Sequence, residues 1–253
     1  MSIRDTIIPF STPLPNIPAK DMQGQPDNAL TRISIVEKTA RIYDDGTSQI
    51  DVPVWSYQGT GGENNIMAGP AIQVTSGQIL QVEWKNALKK SDKCPVDEVQ
   101  VPYDENTDVT VPQNVLGAHG CKLQMKPKAN FVAHLHGGKT PPNYDGWPES
   151  IMMAGQSRLG RYENDERATM HWYHDHAMHT TRLNVYAGLA APYIIRDKQE
   201  RDLDLPKGGD EVFMVIQDRN LNLSGDALAE GVNCTTLLHK TETDTGPLEF
   251  YGP

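Results

Sequence analysis

Six of the chain's eight histidines fall in two short stretches, His134-Leu135-His136 and the nine residues from His171 to His179. Successive side chains of an extended strand point to opposite faces, so His134 and His136 share one face, as do His174 and His176. Two such pairs on neighbouring strands would bring four imidazoles to one point. Neutral nitrogen ligands with few carboxylates suit a borderline ion such as copper or zinc, whereas magnesium and calcium require oxygen. The same parity argues against His171. In a strand over Thr169 to His176, His171, Tyr173 and Asp175 face one way, and Met170, Trp172, His174 and His176 face the other. His179 lies past the strand end and reads as solvent-facing. His119, between small residues in Gly117 to Cys121, reads as an exposed loop residue.

The elements that must position these pairs read as strands. Ile33 and Ile35 alternate with polar neighbours, and Ile50 to Tyr57 forms a second run. Ala71 to Thr75 and Gln78 to Trp84 alternate with period two on either side of the turn residues Ser76 and Gly77. Asn130 to His136 is a further strand, broken at Gly137 and Gly138, where the backbone can turn tightly and approach a bound group. Ala187 to Ile195 reads as a buried strand. The 18 prolines and 21 glycines agree with a strand-and-turn protein. At 253 residues the chain can bury a sizeable core. This is the spacing of a β-sandwich.

Between these strands the pattern lapses. Residues 1–30, with Pro9, Pro13, Pro15, Pro18 and Pro26, read as an extended arm lying over the domain surface. Lys89 to Met125 lacks periodicity and carries Asp97, Glu98, Asp104, Glu105 and Asp108, so it reads as a solvated loop. Asp197 to Gly209 is polar and ends in Pro and Gly, as a linker does, and Glu211 to Gln217 opens a second strand system. Cys94, Cys121 and Cys234 show no metal-type spacing and leave one thiol unpaired; a Cys94–Cys121 bridge would need an oxidising compartment. The net charge of -10 argues against a nucleic-acid partner. No apolar run is long enough to span a membrane, and Asp5 and Pro9 interrupt any signal-type segment, so the expected location is cytoplasmic.

His134 to Gly138, Trp172 to His176 and the continuation Thr181 to Leu189 resemble the N-terminal copper-binding motifs of multicopper oxidases, in particular bacterial spore-coat laccases, bilirubin oxidases and phenoxazinone synthases. Pro70 to Trp84 and Glu211 to Arg219 also fit that pattern. The resemblance implies an all-β, cupredoxin-like Greek-key sandwich. It divides the chain into an arm (1–30), a first cupredoxin domain (31–197), a linker (198–210) and the incomplete start of a second such domain (211–253). It also implies that His134 ligates a type 2 copper, and that His136, His174 and His176 ligate a type 3 pair. Asp145 becomes a candidate proton relay for oxygen reduction, although Tyr144-Asp145-Gly146 also reads as a simple turn. Each ligand needs its second ring nitrogen held by an acceptor, a main-chain carbonyl or Asp175.

The family also requires a C-terminal His-Cys-His stretch for the type 1 copper, and this sequence has none; His239 is the sole histidine beyond residue 179. The expectation is an N-terminal part whose remainder is a second polypeptide, a cleaved fragment or a further segment of one chain. The implied activity is one-electron oxidation of a phenolic, aminophenolic or related small aromatic reductant, with O2 reduced to water. Spore association is an added option for location. Two alternatives stay open: a dinuclear zinc metallohydrolase, which needs bridging carboxylates, and a copper-binding module without turnover.

Overall fold

The computed structural model describes residues 17–47, 49–59, 66–88, 100–103, 121–124, 130–178, 180–219, 221–222 and 236–237. Cys94, His119, His179, Cys234 and His239, with most of the acidic loop, lie outside them.

Alternating apolar residues build two facing sheets. The first contains β1 (Ala19–Asp21), β4 (Ala71–Thr75), β8 (Ala133–His136), β10 (Thr169–Asp175) and β11 (Ala190–Arg196), in the order β1-β4-β11-β10-β8. The second contains β2 (Ala29–Asp44), β3 (Gln49–Gly59), β5 (Leu80–Asn86) and β9 (Ser157–Tyr162), in the order β3-β2-β5-β9. Strands distant in sequence become neighbours: β4 runs parallel to β11, and β8 is antiparallel to β10. Two small ribbons pair β6 (Gln100–Tyr103) with β7 (Cys121–Gln124) and β12 (Leu221–Asn222) with β13 (Thr236–Leu237). Helices α1 (Thr181–Ala187) and α2 (Lys198–Asp202) flank β11. No helix among the described residues is long and apolar enough to cross a membrane.

The space between the sheets is filled by side chains of the inward parity. Ile33, Ile35, Val52, Val54, Ile72, Val74, Leu80 and Val82 are fully buried. Aromatic rings bridge the two layers: Tyr57 of β3 lies 4.8 Å from Tyr173 of β10, and Trp84 of β5 lies 5.3 Å from the same ring. Such pairs add roughly 0.5–1.5 kcal/mol beyond the area they bury. Tyr173 also donates to the carbonyl of Pro70 at 2.7 Å. Tyr173 is thus held inward, and because strand parity alternates, Trp172 and His174 on either side of it must face outward.

Several expectations shift. β1 draws Ala19–Asp21, within the expected arm, into the first sheet by pairing with Ala71 to Gln73. The buried strand begins at Ala190 and not at Ala187, because Thr181–Ala187 forms α1 and Gly188, at φ 125°, ends it. Glu211 to Arg219 has no strand pairing, and Val212, Met214, Val215 and Ile216 lie exposed. Within the expected linker, α2 is capped by Asp197, which accepts from the Glu200 amide.

Candidate metal centre

The pairing of β8 with β10 sets His134 directly opposite His174 and His136 opposite Trp172. Strand parity turns His134, His136, His174 and Trp172 to the outer face of the first sheet, away from the core. His176 follows one residue beyond β10, and its amide donates to the carbonyl of Val132 at 2.9 Å. The four rings converge, with centroids 5.3 Å apart for His134 and His174, 5.4 Å for His136 and His174, and 4.7 Å for His134 and His176. One ligand nitrogen from each of His134, His136 and His174 falls within 4.8 Å of the others. Among the described residues this is the one group of metal-ligand type, and it contains no carboxylate. The nitrogens of His176 lie outside that shared distance, although its ring adjoins His134.

Main-chain carbonyls set the tautomers. Nδ1 of His134 donates to the Asp145 carbonyl at 2.5 Å, and Nδ1 of His174 donates to the Asp175 carbonyl at 2.6 Å. A carbonyl can only accept, so both rings carry their proton on Nδ1 and turn the lone pair of Nε2 to the other side of the ring. Nε2 of His174 lies 3.1 Å from Nδ1 of His136. Nitrogen ligands sit about 2.0–2.1 Å from a zinc ion, so this separation fits two ligands of one ion. Burial lowers the pKa of His174 to about 4, with the Asp175 carbonyl acting in the opposite sense and the neighbouring imidazoles adding to the fall. Burial lowers His176 as well. Both rings are therefore neutral near pH 7, as ligation requires. The main chain of Gly146 opposes the fall at His176 by hydrogen bonding to its ring. The donor set thus fits a borderline metal.

Asp145 reaches the centre chiefly through its main chain. Its carboxylate is about half exposed, with Oδ1 3.5 Å from Nδ1 of His134. The loop comes this close because of Gly146, at φ 83°, where a Cβ would stand 2.2 Å from the Ala133 carbonyl oxygen. His171 stays outside the cluster. Its Nε2 pairs with Glu166 at 3.0 Å, and Gly137, at φ 95°, packs on its ring where a Cβ would stand 2.6 Å from Nδ1. The close approach made by Gly137 is therefore to His171 and not to a bound group. Glu166 also accepts from the amide of Lys139 at 2.7 Å, tying down the turn that follows His136.

Trp172 joins the site unannounced by any ligand motif, and Asp175, expected as a carboxylate acceptor, acts differently. Trp172 lies over the rings of His174 and His136, with centroids at 4.1 and 5.2 Å, and its shared parity with His174 was the signal. The Asp175 side chain points to the core, as parity requires, and burial pushes its pKa up to about 7, opposed by donation from the amide of Val132 and from Asn184 and Ala177. Its backbone carbonyl, not its carboxylate, orients His174.

A two-sheet sandwich presenting a histidine cluster on its outer face is cupredoxin-like. Residues 121–200 match the family model for multicopper oxidase. The chain is 35% identical over 172 residues to a laccase of Bacillus subtilis (strain 168), covering 65% of this chain and 30% of that protein. It is 31% identical over 221 residues to a laccase of Bacillus stratosphericus, covering 84% of this chain and 38% of that protein. In fold it is similar to a laccase-like multicopper oxidase of Ochrobactrum sp., with TM-score 0.60 and 15% identity over 92% of this chain and 39% of that one. The chain belongs to the multicopper oxidase family, whose metal is copper, and spans about a third of the length of these relatives.

Proposed function

We propose that the chain is the N-terminal part of a laccase-like multicopper oxidase and supplies half of the ligands of a trinuclear copper cluster. The observation that carries this reading is the convergence of His134, His136 and His174 without a carboxylate, two of them held by carbonyls at Nδ1. It weighs against the dinuclear zinc hydrolase, which needs bridging carboxylates. In the assignment implied by the family, His134 ligates the type 2 copper, while His136, His174 and His176 ligate the type 3 pair. Copper supplies the one-electron redox chemistry and the binding of O2.

Main-chain carbonyls hold His134 and His174 fixed in orientation, so that little reorganisation accompanies each electron transfer. Trp172 stacks on His136 and His174 and restricts the rotation of both rings. Asp145, half exposed beside His134, can take protons from solvent and pass them inward during reduction of O2 to water. The type 1 copper and the remaining ligands come from a C-terminal portion, which accepts electrons from a small aromatic reductant.

The test is copper loading of the protein together with that portion. Near-ultraviolet and blue absorption, with O2 consumed as a phenol is oxidised, is the expected result. Colourless zinc binding with hydrolytic activity would establish the metallohydrolase, and copper binding without O2 consumption a module lacking turnover. Asp145→Asn should slow O2 reduction by on the order of 10²-fold with copper content intact; unchanged turnover would remove its role.

A further inference from the structure

We propose that Asp175 is a positioning residue for the copper site: its buried carboxylate fastens the two ligand-bearing segments to each other and to α1. The proposal rests on the copper reading above. Asp175 lies between His174 and His176 in sequence, yet its side chain points to the opposite face and is fully buried. Oδ1 accepts from the amide of Val132 at 2.9 Å, two residues before His134. Oδ2 accepts from the amide of Ala177 at 3.1 Å, directly after His176, and from Nδ2 of Asn184 in α1 at 2.9 Å. The Asn184 amide group donates in addition to the carbonyl of Asn130 at 3.0 Å, so the network closes on the segment leading into β8. All three partners of the carboxylate are donors, which requires an acceptor at both oxygens.

The place of this network decides what it does. The β8–β10 ladder has its last rung at Asp175 and Ala133, so His176 lies beyond regular pairing. Its main chain is held by its own amide on the Val132 carbonyl and by the carboxylate next to it on the amides of Val132 and Ala177. Val132 is therefore clamped through both its N–H and its C=O. Movement there shifts His134 and His176 relative to His174. An asparagine at 175 has the same shape but turns an N–H toward one of these donors, leaving a buried pair of donors face to face.

The experiment uses the copper-loaded enzyme with its C-terminal portion present, and compares Asp175→Asn with Ile33→Ala, a cavity variant in the core of the second sheet. Copper retention against a chelator and the electron paramagnetic resonance spectrum are measured at a temperature where both variants are folded. Asp175→Asn should lose copper about 10- to 100-fold more readily, with an altered spectrum. Ile33→Ala should melt earlier yet match the wild type in both. An Asp175→Asn protein that melts earlier but keeps wild-type retention and spectrum overturns the proposal. Should Asp175→Asn fail to fold, Asn184→Ala removes one donor and spares the carboxylate; several-fold weaker retention supports the proposal and wild-type retention overturns it. Wild-type enzyme that binds no copper would instead overturn the parent reading, and is recognised because the reference itself fails.

Discussion

Gly146 shows how one missing side chain sets the centre. Its backbone lies in the left-handed region and passes so near the Ala133 carbonyl that a methyl group has no room. This approach delivers the Asp145 carbonyl to His134. Gly146→Ala should therefore lose about 1–3 kcal/mol from the backbone conformation, and should weaken copper retention because His134 loses its orienting acceptor. Denaturant titration and chelator competition check both halves; a variant as stable and as copper-retentive as the wild type would refute the argument. His171 makes the contrasting case. His174→Ala should abolish copper ligation at the centre, whereas His171→Ala should keep the copper and lower only stability, since its ring supports Gly137 and pairs with Glu166. Metal analysis of the two variants separates them. Much of this was legible in the sequence, because period-two alternation alone placed His171 apart from His174. The carbonyl acceptors were not, since any residue has a carbonyl and only the loop path decides which one arrives.

Among the elements, those with clean alternation were read closely. Ala71 to Thr75 coincides with β4, and Thr169 to His176 overlaps β10 to within one residue. β9 went unread because Ser157 to Tyr162 lies at a sheet edge with Arg158 and Arg161 in it, and so lacks an apolar stripe. α1 was hidden in an apolar run that continues into β11; seven residues are too few for helical periodicity to stand out. A further element-level tie was equally silent. Asn164, at φ 52° in the left-handed region, donates to the Gln78 carbonyl at 2.7 Å and accepts from the hydroxyl of Tyr193 at 2.8 Å, locking the β9–β10 connection to the β4–β5 turn and to β11. Tyr193→Phe leaves the Asn164 oxygen buried and unpaired, which should cost about 1–3 kcal/mol. Copper retention should be unchanged, because none of these groups orients a ligand. Loss of copper at a temperature where the variant is fully folded would contradict that separation of roles.

At the scale of the whole molecule, the core and the centre lie on opposite faces of one sheet. The buried cluster runs between the sheets through residues such as Ile33, Val54, Val74, Tyr173 and Ile195, while the ligand rings stand on the outside with Met170 and Trp172 exposed beside them. A domain whose metal replaces its core unfolds when the metal is removed, as small zinc domains do. Here the core between the sheets contains no ligand ring, the β8–β10 ladder is made by main-chain groups, and main-chain carbonyls hold His134 and His174 in their ligating tautomers. Stripping copper with a chelator should therefore leave the far-ultraviolet circular dichroism unchanged and lower the melting temperature only by the lost binding free energy, about 2.7 kcal/mol where free copper had stood at 100 times its dissociation constant. Readdition should restore the copper spectrum within the mixing time of a folded protein, with no refolding phase. A chelated chain that loses its strand signal would show that the ions, and not the interlayer aromatics, hold the sandwich together.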